Sequence, residues 1–140
     1  MADKKEMQEK FMLYRILESK LDALAKQRDL VSNKIIEILS TISSIEEIEN
    51  NQDVLFKLGA EAYTFGTVTD KDKILVEIGA GIVVEKPIGE GKESLKKRKN
   101  ELENTLKEIQ INISEISNAM GQLGPELNEM YKNSGQDIAE

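Results

Sequence analysis

Residues 74–87 read Ile74-Leu75-Val76-Glu77-Ile78-Gly79-Ala80-Gly81-Ile82-Val83-Val84-Glu85-Lys86-Pro87. Two β-branched runs flank a Gly-Ala-Gly connection, the pattern of a β-hairpin. Upstream, Val54-Leu55-Phe56-Lys57-Leu58, then Gly59-Ala60, then the run from Glu61 through Tyr63 and Phe65 to Val68 follow the same plan. Thr69-Asp70-Lys71-Asp72-Lys73 reads as the turn between them. Two consecutive hairpins are therefore expected over residues 51–90.

The flanks have a different period. Residues 1–50 contain no Gly or Pro, and apolar side chains fall at alternating spacings of three and four. Tyr14, Leu17, Leu21, Leu24, Val31, Ile35, Ile38, Ile42 and Ile45 occupy a and d positions, broken only by Arg28. Residues 91–140 repeat this at Leu95, Leu102, Leu106, Ile109, Ile113, Ile116, Met120, Leu123, Leu127 and Met130, broken only by Lys99. Sustained heptads mark coiled-coil helices, each roughly 60–70 Å long at ~1.5 Å per residue. An antiparallel register pairing Leu21 with Leu123, Val31 with Ile113 and Ile42 with Leu102 satisfies both seams. A kink or fraying is expected at Gly121-Gly124-Pro125, and a loose tail beyond Lys132.

The predicted fold class is α+β: a long antiparallel two-helix coiled coil with two β-hairpins inserted between the helices. The domains are residues 1–50, the first helix; 51–90, the oligomerisation platform; and 91–140, the second helix and tail.

The chain has 140 residues, a net charge of −7, 32% charged and 4% aromatic residues, and no Trp, Cys or His. Without Cys and His, the usual zinc, haem and thiol chemistries lose their ligands and nucleophiles. No metal, cofactor or enzymatic activity is expected. The acidic balance argues against nucleic-acid and anionic-membrane partners. Met1-Ala2-Asp3-Lys4-Lys5-Glu6 holds no apolar signal stretch, so a cytoplasmic protein is expected. Lys96-Lys97-Arg98-Lys99 reads as a solvated helix face, and Gly91-Lys92 lacks the leading glycine of a phosphate loop.

Two isolated hairpins are marginal in water and expose unpaired edges. Apolar faces at Ile74, Val76, Ile78, Ile82 and Val84 exceed what one pair of helices covers, so pairing with other chains is expected.

Helix, two hairpins, helix resembles the alpha class of prefoldin subunits, in its archaeal type. The most specific stretch is Gly66-Thr67-Val68-x-Asp70, followed by Val76-x-Ile78-Gly79-x-Gly81-x-x-Val84-Glu85-Lys86. One departure is Lys57, where relatives often carry proline before Leu58-Gly59. The resemblance implies a hexamer of two alpha and four prefoldin beta subunits. Its hairpins, here with Tyr63 and Phe65 among the contacts, would close into a β-barrel. The coiled-coil tips would hold unfolded client proteins and deliver them to a group II chaperonin without ATP.

Antiparallel helices bring both chain ends to one tip. All five Met residues lie in the end regions: Met1, Met7, Met12, Met120 and Met130. Met suits adaptable surfaces, although Met7, Met120 and Met130 also fit seam positions. In Phe11-Met12-Leu13-Tyr14-Arg15-Ile16-Leu17 only Arg15 is polar, and the seam needs only Tyr14 and Leu17. The surplus Phe11, Met12, Leu13 and Ile16 mark an interaction patch, with Leu123, Leu127, Met130 and Tyr131 opposite. A helix contact with a partner subunit is the competing reading of this patch. At the level of the whole chain, the alternative is a structural scaffold or tether docking one fixed partner. Ile36 and Leu39, also off the seam, are expected to pack on the hairpin platform.

Overall fold

The computed structural model describes the backbone of residues 2–139 and the side chains of residues 4–134; Met1 lies outside them. The order is α1 (Ala2–Asn50), β1 (Asp53–Gly59), β2 (Ala62–Thr67), β3 (Lys73–Gly79), β4 (Ile82–Pro87) and α2 (Ile88–Ala139). Two long helices with two antiparallel hairpins between them are what the periodicities call for. The chain divides into two compact units, Met1–Ser32 with Asn104–Glu140, and Asn33–Glu103.

Each unit buries the expected heptad positions. In the second unit Ile35, Ile38, Ile42 and Ile45 are buried. In the first, Ile109 and Leu123 are buried, and Tyr14, Leu17, Leu21, Leu24 and Val31 are half-buried. Arg28 and Lys99 stay at their seam positions, half-buried. Long aliphatic stems allow this while the charges reach water. Lys99 also meets Glu103, 3.9 Å away on its own helix.

The register differs from the expected one by about one heptad. Lys10 Nζ pairs with Glu126 Oε2 at 3.0 Å. The Tyr14 ring comes within 3.7 Å of where a Cβ on Gly124 would stand. The expected register would set Lys10 against Ser134 and Tyr14 against Met130. A strict heptad seam looks the same after a shift of about seven residues, so seam pattern alone does not choose between the two.

The structure also extends α2 further than expected. It starts at Ile88, directly after Pro87, and runs through Pro125 to Ala139. The expected loose tail beyond Lys132 is thus helical as far as the described backbone reaches.

The hairpins are near twins. Each has a seven-residue strand, a register shift just before the turn, and a six-residue return strand. In each, an N–H after the return strand closes the base: Val68 donates to the Gln52 carbonyl and Ile88 to that of Asp72, both at 2.8 Å. Asn51 and Asp70 side chains accept from the Asp53 and Asp72 amides at 3.1 and 2.9 Å, so an Asx turn leads into each hairpin. Glu61 and Ala80 hold the turns in the left-handed region, at φ 60° and 50°. Few L-residues sit there without strain.

The second unit is tied together at the helix–hairpin junction. Gly91 is buried, and a Cβ there would overlap Ile74, whose Cγ1 would lie only 2.7 Å away. The missing side chain lets α2 approach β3. Lys86 Nζ donates to Ser94 Oγ at 3.2 Å. Lys92 Nζ meets Glu49 Oε1 at 2.5 Å. Glu49 lies near a helix C-terminus and Lys92 near a helix N-terminus, the ends that disfavour those charges. Each neutralises the other.

Gly91→Val forces β3 and α2 apart and is expected to destabilise the second unit by about 1–3 kcal/mol, read from urea unfolding of the assembled protein. For the register, nuclear Overhauser contacts are expected between the Tyr14 ring and the Gly124 α-protons. Contacts from Tyr14 to Met130 instead would restore the other register.

Candidate functional site

In the first unit the two helix ends form an apolar groove of about 520 Å³. From α1 come Met7, Gln8, Phe11 and Tyr14; from α2 come Gly124, Leu127, Asn128 and Tyr131. Met7, Phe11 and Tyr14 follow an i, i+4, i+7 stripe, and Gly124, Leu127, Asn128 and Tyr131 form the matching face of α2. Gly124 supplies no side chain where the Tyr14 ring crosses it, which leaves the space open. Three of the chain's six Phe and Tyr residues line this groove. The other three, Phe56, Tyr63 and Phe65, lie on the first hairpin.

The expected tip residues divide. Met7, Phe11, Leu127 and Tyr131 line the groove, with Phe11 50% and Tyr131 72% exposed. Met12, Leu13 and Ile16 are exposed but do not line it, because successive residues turn about 100° around a helix. Leu123 is only 8% exposed and belongs to the core. Met130 is half-buried beside the groove. Sequence reasoning places Tyr14 in the seam and Gly124 among the helix breakers. Their joint role is visible there only as two nearby anomalies, a polar ring on a seam and a glycine in a helix.

Charges frame the groove. The Arg15 guanidinium stands 5.1 Å from the Phe11 ring centre, a cation–π contact. Lys10 binds Glu126 across the helices and Glu6 one turn back at 3.4 Å. The Glu126 hydrogen bond, and then that of Glu6, raises the Lys10 pKa above its usual 10.5.

In the second unit the hairpins carry the other candidate surface. Val54, Phe56 and Gly66 share one face of the first sheet by register, and Phe56 lines a cleft with Thr41 and Ile45 of α1. The opposite face carries Leu55, Tyr63 and Phe65, with Leu55 directly across from Phe65. Phe65 is 90% exposed.

On the second hairpin the free face is not the expected one. Ile74, Val76 and Val84 are half-buried, and Ile74 and Val76 are taken up by the close approach of α2 at Gly91. Leu75 and Val83 form the exposed face, while Ile78 and Ile82 are exposed beside the turn. Each sheet has two strands, so among the described residues every strand has a free outer edge. Ile36 and Leu39 also remain exposed. The chain's own hairpins do not cover them.

Among the described residues no cluster of His, Cys, Asp or Glu suits a metal ion, and no helix is long and apolar enough to cross a membrane.

Paired helices joined through two hairpins with free edges define a coiled-coil subunit of prefoldin type. The prefoldin subunit family model matches residues 17–133. The prefoldin subunit alpha of Archaeoglobus fulgidus is 28% identical over 91% of this chain and 95% of its own length. That of Methanococcoides burtonii is 31% identical over 81% and 89%, and that of Pyrococcus horikoshii 25% over 91% and 89%. Among solved structures, filamentous PFD from Methanocaldococcus jannaschii, determined by cryo-electron microscopy, shares the fold with a TM-score of 0.67 at 17% identity. The match covers 85% of this chain and 98% of that one. The chain belongs to the prefoldin family, as an alpha subunit of archaeal type, and is a chaperone subunit.

A lysine whose pKa is raised on folding contributes stability that is fully present below its unfolded value. That stability is lost as pH rises through the folded value. Lys92 is raised likewise, first by Glu49. The difference in thermal midpoint between the wild type and a Lys10→Gln, Lys92→Gln variant is therefore expected to hold steady to about pH 10 and to shrink above it. A difference unchanged past about pH 12 would count against these pairings.

Proposed function

We propose that this chain is the alpha subunit of a cytoplasmic hexamer of two alpha and four beta prefoldin subunits, an ATP-independent holdase. Its helix ends capture unfolded polypeptides and pass them to a group II chaperonin. The hairpins provide the platform: free edges on all four strands, with Leu55, Tyr63, Phe65, Leu75 and Val83 outward, suit joining into a β-barrel with neighbouring subunits. The expected contacts Ile74, Val76 and Val84 support the platform from its inner side, and Ile78 and Ile82 extend it at the turn. Neither a cofactor nor a catalytic group has a part in this scheme.

One observation carries the client reading: half of a small set of aromatic residues converge on an open groove where the two helices end. Seam packing needs none of Phe11, Gly124 or Tyr131. Rings and Met7 supply large, adaptable apolar contact. Met12, Leu13 and Ile16 extend the apolar surface around α1, so a captured chain meets it from several sides. Weak contacts at several tips combine into avidity. The tether reading requires a single fixed partner, whereas an open apolar groove lined by adaptable side chains favours many.

Aggregation of a chemically unfolded protein, followed by light scattering with the assembled complex present, tests this. Gly124→Leu fills the groove and improves helix propensity. It is expected to weaken capture about tenfold, since burying one large apolar side chain contributes roughly 1.5–3 kcal/mol. Phe11→Ser, Met12→Ser, Leu13→Ser should weaken it further, with the native mass of the complex unchanged. Full protection by both variants would refute client binding at the helix ends. Protection limited to one particular protein would favour the tether.

A further inference from the structure

We infer that Lys10 and Glu126 are positioning residues: their ion pair latches the end of α2 against α1 and so sets how tightly the groove grips. The inference rests on the groove being the client site. It starts from a weak point in α2. Pro125 has no N–H to give to the Gly121 carbonyl, and its ring crowds that carbonyl. Gly121 and Gly124 lower helix propensity on the same turn. The helix continues regardless, so contacts from outside must hold the part beyond Pro125.

The first residue past the proline is Glu126, and it is the one that Lys10 grips across the helices at 3.0 Å. Lys10 is half-buried and lies between Met7 and Phe11, on the seam side of the groove. Opposite it, Leu127, Asn128 and Tyr131 form the groove wall contributed by the segment past Pro125. Releasing Glu126 frees that wall to swing about the Gly121–Pro125 turn. The groove then admits larger side chains and holds each less firmly. Glu6 also contacts Lys10 but belongs to α1, so its loss leaves the latch in place. That provides an internal control.

Hydrogen exchange by mass spectrometry on the client-free complex reads the latch directly. Lys10→Gln and Glu126→Gln should each speed exchange at residues 126–134 by about three- to tenfold, with residues 104–120 unchanged. The double variant should be no faster than either single one, the signature of a coupled pair. Lys10→Arg and Glu6→Gln should resemble the wild type, and high salt should mimic Lys10→Gln. Release of a bound unfolded polypeptide should be more than twofold faster in Lys10→Gln. Additive single effects, or equal loosening on both sides of Gly121, would overturn the latch. So would coupled exchange with unchanged release. Because the Phe11→Ser, Met12→Ser, Leu13→Ser variant keeps Lys10 and Glu126, its capture defect decides the client reading separately.

Discussion

A two-helix coil has a narrow seam, and everything else in this chain follows from that limit. Each helix offers the seam only its a and d positions. Ile35, Ile38, Ile42 and Ile45 in one unit, and Ile109 and Leu123 in the other, fill that allotment. Apolar residues beyond it have no place inside a single chain. Most of them collect in two places, the helix ends and the hairpins, where Phe11, Met12, Tyr131, Leu55, Phe65 and Leu75 stay exposed; Leu30, Ile36, Leu39 and Ile111 are exposed along the helices between. A prefoldin alpha subunit is thus apolar where it must meet other molecules and polar along most of the rest.

The two surfaces answer different needs. On the hairpins, exposed side chains come with unpaired backbone edges, which demand directional partners. Such a surface selects fixed neighbours. At the helix ends, apart from the Gly121 carbonyl that Pro125 leaves without its helical partner, the backbone pairs within the helices, and what is offered is side chains: rings, a thioether and the gap above Gly124. As the proposed client site, this surface would set few geometric conditions on a bound chain. In the proposed function, one chain thereby combines specific assembly with permissive binding.

Much of this is legible in the sequence, for identifiable reasons. Gly79-Ala80-Gly81 between β-branched runs marks a hairpin, and the heptads mark the helices. The register is not legible, because a seven-residue repeat is indifferent to a seven-residue shift; Lys10, Glu126, Tyr14 and Gly124 decide it. Nor is the free face of the second hairpin. Ile74, Val76 and Ile78 form the apolar face of β3, with Leu75 between Lys73 and Glu77 on the other; the approach of α2 at Gly91 takes Ile74 and Val76 inward and leaves Leu75 free. Phe11 and Tyr131 stand out as surplus to the seam. The groove they share does not, since it depends on the register that sets Met7, Phe11 and Tyr14 against Gly124, Leu127 and Tyr131.

Site-specific photo-crosslinking tests the account most directly. A photoreactive residue replaces Phe11 in the assembled complex, with Leu30 and Ile111, exposed but outside the groove, replaced in parallel as references. An unfolded polypeptide should form adducts at position 11 far more than at positions 30 and 111. Equal labelling at all three, or labelling confined to the references, would contradict capture at the helix ends.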